Sequence, residues 1–185
     1  MRQTRKIILT FSALVMLSGC AVSLPPNFVE KAQTDLSTKP LLYQRAAWLK
    51  GVYGYQNMFS QRPNFVQGAL VCDEEGLMFV VLDKNLNKYI SVLDLKFEGD
   101  FKNVSVGKWG AGRRLVVYGK SDVYTFEIVR KGALIDKVRT YEFAVFTAGK
   151  INQDTEQFAV ELEKEKKEQK AYEESGEVKP TNRRW

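Results

Sequence analysis

From residue 65 onward the chain alternates short apolar runs with polar, glycine-bearing breaks. Gly68 to Cys72 is apolar, Asp73-Glu74-Glu75-Gly76 is a polar turn, and Leu77 to Leu82 is a second apolar run; together they predict a β-hairpin. In Tyr89 to Phe97 the residues Leu93, Leu95 and Phe97 alternate with Asp94 and Lys96, the period-two pattern of a half-buried strand. Val104 and Val106 mark the next strand, ending near Trp109, and Gly110-Ala111-Gly112 separates it from Leu115 to Tyr118. Gly119-Lys120-Ser121-Asp122 then turns the chain into Val123 to Val129, with Tyr124, Phe126 and Ile128 on one face. Arg139 to Thr147 repeats the alternation, Tyr141, Phe143 and Val145 against Glu142 and Ala144, and reads as a last strand. About seven short strands with turns about every 8–12 residues predict a mainly β (α+β) fold, a small antiparallel β-barrel or sandwich.

Helical spacing flanks this region. Asp154 as N-cap with Gln157 at the N3 position opens a C-terminal amphipathic helix whose apolar face is Phe158, Ala159 and Leu162. Glu163 to Lys170 holds no apolar residue, and Glu163 and Lys167 suit an i,i+4 pair, so two turns are expected to dock and the rest to extend into water. Gly176 and Pro180 punctuate a polar end expected to be disordered, with Trp185 an incidental aromatic or an anchor for a partner. Upstream, Phe28, Ala32 and Leu36 fall four apart behind Pro25-Pro26 and predict a short helix. It lies in a segment, 20–40, that as a flexible coil spans roughly 25 Å and lifts the domain off a surface; the alternative is that the helix packs on the domain. Residues 41–60 carry two patterns: Leu42, Ala46 and Leu49 at helical spacing beside Trp48, then Val52, Tyr53 and Tyr55 among glycines as the start of a strand.

The N-terminus is of another kind. Arg2, Arg5 and Lys6 precede an apolar run from Ile7 to Leu17, broken only by Thr10 and Ser12, which closes on Leu17-Ser18-Gly19-Cys20. The run is far short of the ~20 residues a spanning helix needs and reads as a secretory signal. These residues resemble the lipobox of bacterial lipoproteins. The resemblance implies cleavage before Cys20, a diacylglyceryl group on its sulfur and usually an acylated amine. Two or three acyl chains, at about 0.8 kcal/mol per buried CH₂, hold a protein stably on a bilayer. Ala21 in place of Asp after the cysteine implies the outer membrane, facing the periplasm. The expected organisation is a signal peptide over 1–19, a lipidated tether over 20–40, one β-rich domain over 41–165 and a charged tail over 166–185.

Charge and composition narrow the chemistry. Removing the leader's three basic residues from the chain's 28 leaves 25, against 22 acidic ones, too little excess for a nucleic-acid face. The chain has no histidine, which excludes Ser-His-Asp and Cys-His catalysis and the commonest zinc sites. Acid–base work would fall on carboxylates, Lys or Tyr. With Cys20 acylated, Cys72 is the one remaining thiol and no intrachain disulfide forms. Its apolar neighbours suit a small buried hydrophobe, the alternatives being an intermolecular bridge or a reactive thiol. Gly107-Lys108-Trp109-Gly110-Ala111-Gly112-Arg113-Arg114 is rich in glycine but lacks the Lys-Ser/Thr pair and following helix of a phosphate loop, and reads as a hairpin tip. Trp109, Arg113 and Arg114 are the candidate contacts to lipid headgroups or an anionic ligand, although solvated loop residues are the simpler reading of the Arg pair. Asp73-Glu74-Glu75 fits no calcium loop and reads as a solvated turn. No catalytic residue, metal or cofactor is expected.

The body also carries a resemblance. Gly68-Ala69-Leu70-Val71-Cys72-Asp73-Glu74-Glu75-Gly76-Leu77-Met78-Phe79 is similar to the first hairpin of GRAM and other pleckstrin-homology-like domains. In those domains a Gly-led strand, a polar turn and an apolar strand ending in Phe recur. Lys88 to Leu95 is similar to the strand that follows, and Leu115 to Tyr118 with Val123 to Ile128 to the later pair. The resemblance implies that Phe158 and Leu162 plug the open end of a barrel. The long stretch 130–147 and the acidic first turn depart from it, and the turn and the compartment argue against phosphoinositide binding. A lipocalin-like or other small barrel is the alternative fold. The expected function is a lipid-anchored binding or adaptor module, not an enzyme, which offers a strand edge or the charged helix to an envelope protein. The alternative is a carrier of an apolar ligand or lipid, which needs a cavity inside the barrel.

Overall fold

In the computed structural model, residues 24–50, 64–110, 112–130 and 134–175 are described. Two apolar runs of the sequence form its centre. β2 (Asn64–Cys72) and β3 (Gly76–Asp83) turn alternate side chains to opposite faces. Leu70, Cys72, Leu77 and Phe79 enter one core, while Ala69, Val71, Met78 and Val80 enter a second on the other face. Burial on both sides is why these segments read as continuous apolar runs rather than alternating ones.

Around them the chain builds one antiparallel sheet in the order β4-β3-β2-β1-β7-β6-β5. Its other strands are β1 (Leu42–Lys50), β4 (Lys88–Lys96), β5 (Phe101–Trp109), β6 (Gly112–Gly119) and β7 (Val123–Arg130); β8 (Leu134–Ile135) adds a short pairing to β7. β1 pairs with β2 from Leu42↔Cys72 to Lys50↔Asn64 and with β7 through Ala46↔Ile128 to Trp48↔Phe126. Satisfying its backbone on both sides, the strand prevails over the helical spacing of Leu42, Ala46 and Leu49. The strand start expected at Val52 to Tyr55 lies outside the described residues.

The sheet does not close into a barrel. Its terminal strands β4 and β5 meet at one corner, where Asp100 bonds Lys96 through both its backbone N–H (3.2 Å) and its carboxylate (2.8 Å), and the Phe97 and Phe101 rings lie 5.4 Å apart.

Among the described residues three helices complete the fold: α1 (Phe28–Leu36), α2 (Lys137–Lys150) and α3 (Glu156–Ser175). α1 is the helix expected behind the prolines, and it packs on the domain. Phe28 and Ala32 are buried with Met78, Val80 and Tyr89, and Leu24 rests against the same cluster. Residues 24–40 therefore belong to the fold and are no free tether, because β2 and β3 have a second apolar face to cover. α2 replaces the strand expected over 139–147. Tyr141, Ala144, Thr147 and Ala148 are buried at helical spacing, a pattern that overlaps the alternation of Tyr141, Phe143 and Val145. The Asp136 carboxylate accepts the Arg139 N–H at 3.0 Å and caps the helix start. Phe143, Ala144 and Ala148 fill the main core against Phe79, Leu115 and Phe126.

Candidate functional site

Arg113 and Arg114 follow Gly112, the first residue of β6, at the hairpin whose other strand ends in Trp109; Trp109 pairs with Gly112, and its side chain lies outside what is described. Neither arginine is a solvated loop residue. Arg114 is buried, and its Nε donates to Glu127 Oε1 at 2.7 Å from the neighbouring β7. Arg113 lies 3.4 Å from Glu165 of α3 and donates through Nε to the Tyr141 hydroxyl at 3.3 Å. Strand pleating sends adjacent residues to opposite faces, so each arginine meets its own carboxylate. Both guanidinium charges are thus matched within the molecule.

The same geometry gives α3 its footing. Glu165 is buried, and Lys137 of α2 reaches its other oxygen at 3.1 Å. Leu162 is buried and Phe158 half-buried against the main core, as their spacing predicts, but Ala159 is exposed. The helix starts one residue later than expected. Glu156 is its first residue, and the Asp154 carboxylate accepts the Glu156 N–H at 2.9 Å. Glu163 pairs with Lys166 at 3.2 Å rather than with Lys167. The expected tail from 166 onward is helix through Ser175, and residues 176–185, Trp185 included, lie outside the described residues. On its outer flank α3 presents Ala159 and Val160, the latter 62% exposed, framed by Glu163, Lys164, Lys167 and Glu168 in a shallow depression open to solvent.

Each terminal strand of the sheet has a side chain across its free edge. On β4 the Tyr89 N–H donates to Asp35 of α1 at 2.8 Å. On β5 the Gln153 amide bonds both backbone groups of Val104, at 2.8 and 2.9 Å. Unpaired edges template association with other chains, and these contacts occupy both edges at those positions.

The interior is packed with rings. Phe79 and Phe126 stack at 5.8 Å, and Trp48 lies 5.9 Å from Phe79 and 6.4 Å from Phe126. Cys72 is fully buried in this core, which pushes its thiol far above the ordinary range. The Thr147 hydroxyl, otherwise unpartnered, faces it. In the acidic turn Asp73 is structural: its carboxylate accepts the Thr38 hydroxyl and the Glu75 and Gly76 N–H groups, both at 2.8 Å. Glu75 pairs with Lys96 at 3.1 Å, and Glu74 pairs with Lys150. Among the described residues no cluster of three or more His, Cys, Asp or Glu forms a metal site, and no helix is long and apolar enough to cross a membrane.

Cys20 precedes the described residues. A family model for the prokaryotic membrane lipoprotein lipid attachment site matches residues 5–21, the stretch that holds Leu17-Ser18-Gly19-Cys20. The match supports a bacterial lipoprotein, held in the cell envelope by lipid. A comparison with curated proteins finds no match.

Proposed function

We propose that this lipid-anchored chain is a non-catalytic adaptor of the cell envelope, on the outer membrane facing the periplasm, that engages another envelope protein through the outer face of α3. One observation carries the reading. α3 runs through Ser175, well past Glu165, its last buried residue, on to residues that add nothing to the core. The projecting part, 166–175, is shorter than the roughly 12–15 residues an isolated helix needs in water, so it is held by the docked turns and offers its outer face elsewhere. Val160 between oppositely charged pairs suits a partner helix or groove of mixed charge. The side chains across β4 and β5 favour helix docking over strand addition. The strand order and the helix after β7 support a pleckstrin-homology-like reading with shifted assignments: Gly68 to Phe79 are β2 and β3 rather than the first hairpin, and α2 rather than Phe158 and Leu162 fills the core. The ring-filled interior disfavours the carrier alternative.

Site-specific photo-crosslinking in intact cells tests this. A crosslinker at Val160 or Lys167 gives a discrete protein adduct, and one at exposed Lys102 on β5 does not. Equal labelling from all three positions overturns the proposal. Separation of the two membranes by density tests the address, which fails if the protein travels with inner-membrane markers.

A further inference from the structure

We propose that the β3–β4 hairpin tip, with Leu86 at its apex, rests in the headgroup layer of the membrane that holds the acyl chains. This rests on the reading that those chains sit on Cys20. Between Cys20 and Leu24 the chain has four peptide links, a reach of roughly 14 Å at full extension. Leu24 already packs on the second core. The end of the domain where α1 begins is therefore within that reach of the lipid surface.

The orientation of α1 identifies what else lies at that end. Asp35 bonds the backbone of Tyr89, and Lys31, one turn earlier, donates to the Asn87 carbonyl at 2.6 Å. Going back along the helix is going outward along β4 toward the hairpin tip. The other end of α1 leads to Thr38, which bonds Asp73 at the opposite end of β3. Phe28, the first residue of α1, lies 4.9 Å from the ring of Tyr89 at the base of the 83–88 tip and 5.5 Å from Tyr43 of β1, so the helix starts over the sheet beside that tip.

That tip has the chemistry of a membrane contact. Leu86 is 64% exposed and Leu82 44%, two large apolar side chains in one hairpin with no core to join. Exposed Lys84 and Lys88 flank Leu86, placed for anionic headgroups. Asp83 turns its carboxylate back to accept the Asn85 and Leu86 N–H groups at 2.8 and 3.1 Å, which holds the tip in shape. The acidic groups of α1 are Asp35, which holds the Tyr89 N–H and faces Lys88, and exposed Glu30.

The test uses the mature acylated protein in vesicles of phosphatidylethanolamine and phosphatidylglycerol that carry nitroxide-labelled headgroups. A fluorophore is attached through Leu86→Cys or, as control, through Val160→Cys, Cys72 being buried. Both sites are exposed, so neither variant perturbs the core. The expected result is quenching at position 86 several-fold stronger than at position 160, and weaker when Lys84 and Lys88 are both changed to Glu. If the protein floats with the vesicles and both probes are quenched alike, the tip contact is overturned and the anchor stands. If the protein does not float at all, the anchor reading fails and this proposal fails with it.

Discussion

The Gln153 side chain closes the edge of β5 at Val104 as a strand would, donating to its carbonyl and accepting from its N–H. One amide serves two backbone groups because in an antiparallel strand both point outward from the same residue. Gln153→Ala leaves them unpaired. The expected loss is about 1–3 kcal/mol of stability by urea denaturation, with concentration-dependent self-association by light scattering. Unchanged stability and a monomeric variant would show that the edge needs no cover.

Arg114 and Glu127 form the most enclosed ion pair described, both side chains 7% exposed. Removing one partner of a buried pair strands the other without water. Glu127→Ala is expected to destabilise the whole domain by about 3–5 kcal/mol, whereas replacing both by apolar residues of similar volume recovers most of that. A double-mutant cycle in denaturant measures the coupling.

Glu165 instead governs one element. Glu165→Gln keeps the shape but removes the charge that faces both Arg113 and Lys137. α3 is expected to loosen while the sheet holds. Limited trypsin digestion then cuts sooner at Lys164, Lys166 and Lys167, with the denaturation midpoint little changed. A cutting rate equal to wild type refutes the footing.

The Cys72 thiol is buried and pushed up, so little thiolate exists at neutral pH. A thiol reagent should leave it unmodified in the native protein and modify it on unfolding. Rapid labelling without denaturant would contradict this.

Two carboxylates hold α1 and the segment after it. The Tyr89 N–H lowers the Asp35 pKa against the cost of burial, helped by Lys31. At Asp73 burial raises the pKa, but the Thr38 hydroxyl and the Gly76 and Glu75 N–H groups together outweigh it and leave it lowered. A group whose folded-state pKa is depressed contributes stability above its unfolded value, about 3.9, and loses it as pH falls through the folded one. α1 is therefore expected to stay docked from neutrality to about pH 4 and to release below it. Hydrogen exchange of the α1 amides measures this, and Asp35→Asn should flatten the response. Protection independent of acid would exclude both locks.

Much of the sheet was legible because strand burial writes itself in two simple codes. The half-buried alternation of Leu93, Leu95 and Phe97 and the unbroken runs through Leu70 and Phe79 both placed strands correctly. α2 was misread for a reason inside the code: Tyr141, Phe143 and Val145 satisfy period two while Tyr141, Ala144 and Ala148 satisfy the helical period. Asp136 as a cap was the signal that separates them. The partners of Arg113 and Arg114 were not legible, since Glu127 and Glu165 are brought near only by sheet order and by the docking of α3. For the same reason the arginines looked like solvated charges. The short helix at Phe28 was visible from spacing. That it covers a second core follows only from knowing that β2 is buried on both faces.

That covering has a consequence for turnover. A protease that would shed this domain intact from the bilayer must cut before Phe28, because a cut within α1 strips the lid from Met78 and Val80. Beyond those first few residues, liberation from the envelope and collapse of the fold become a single event.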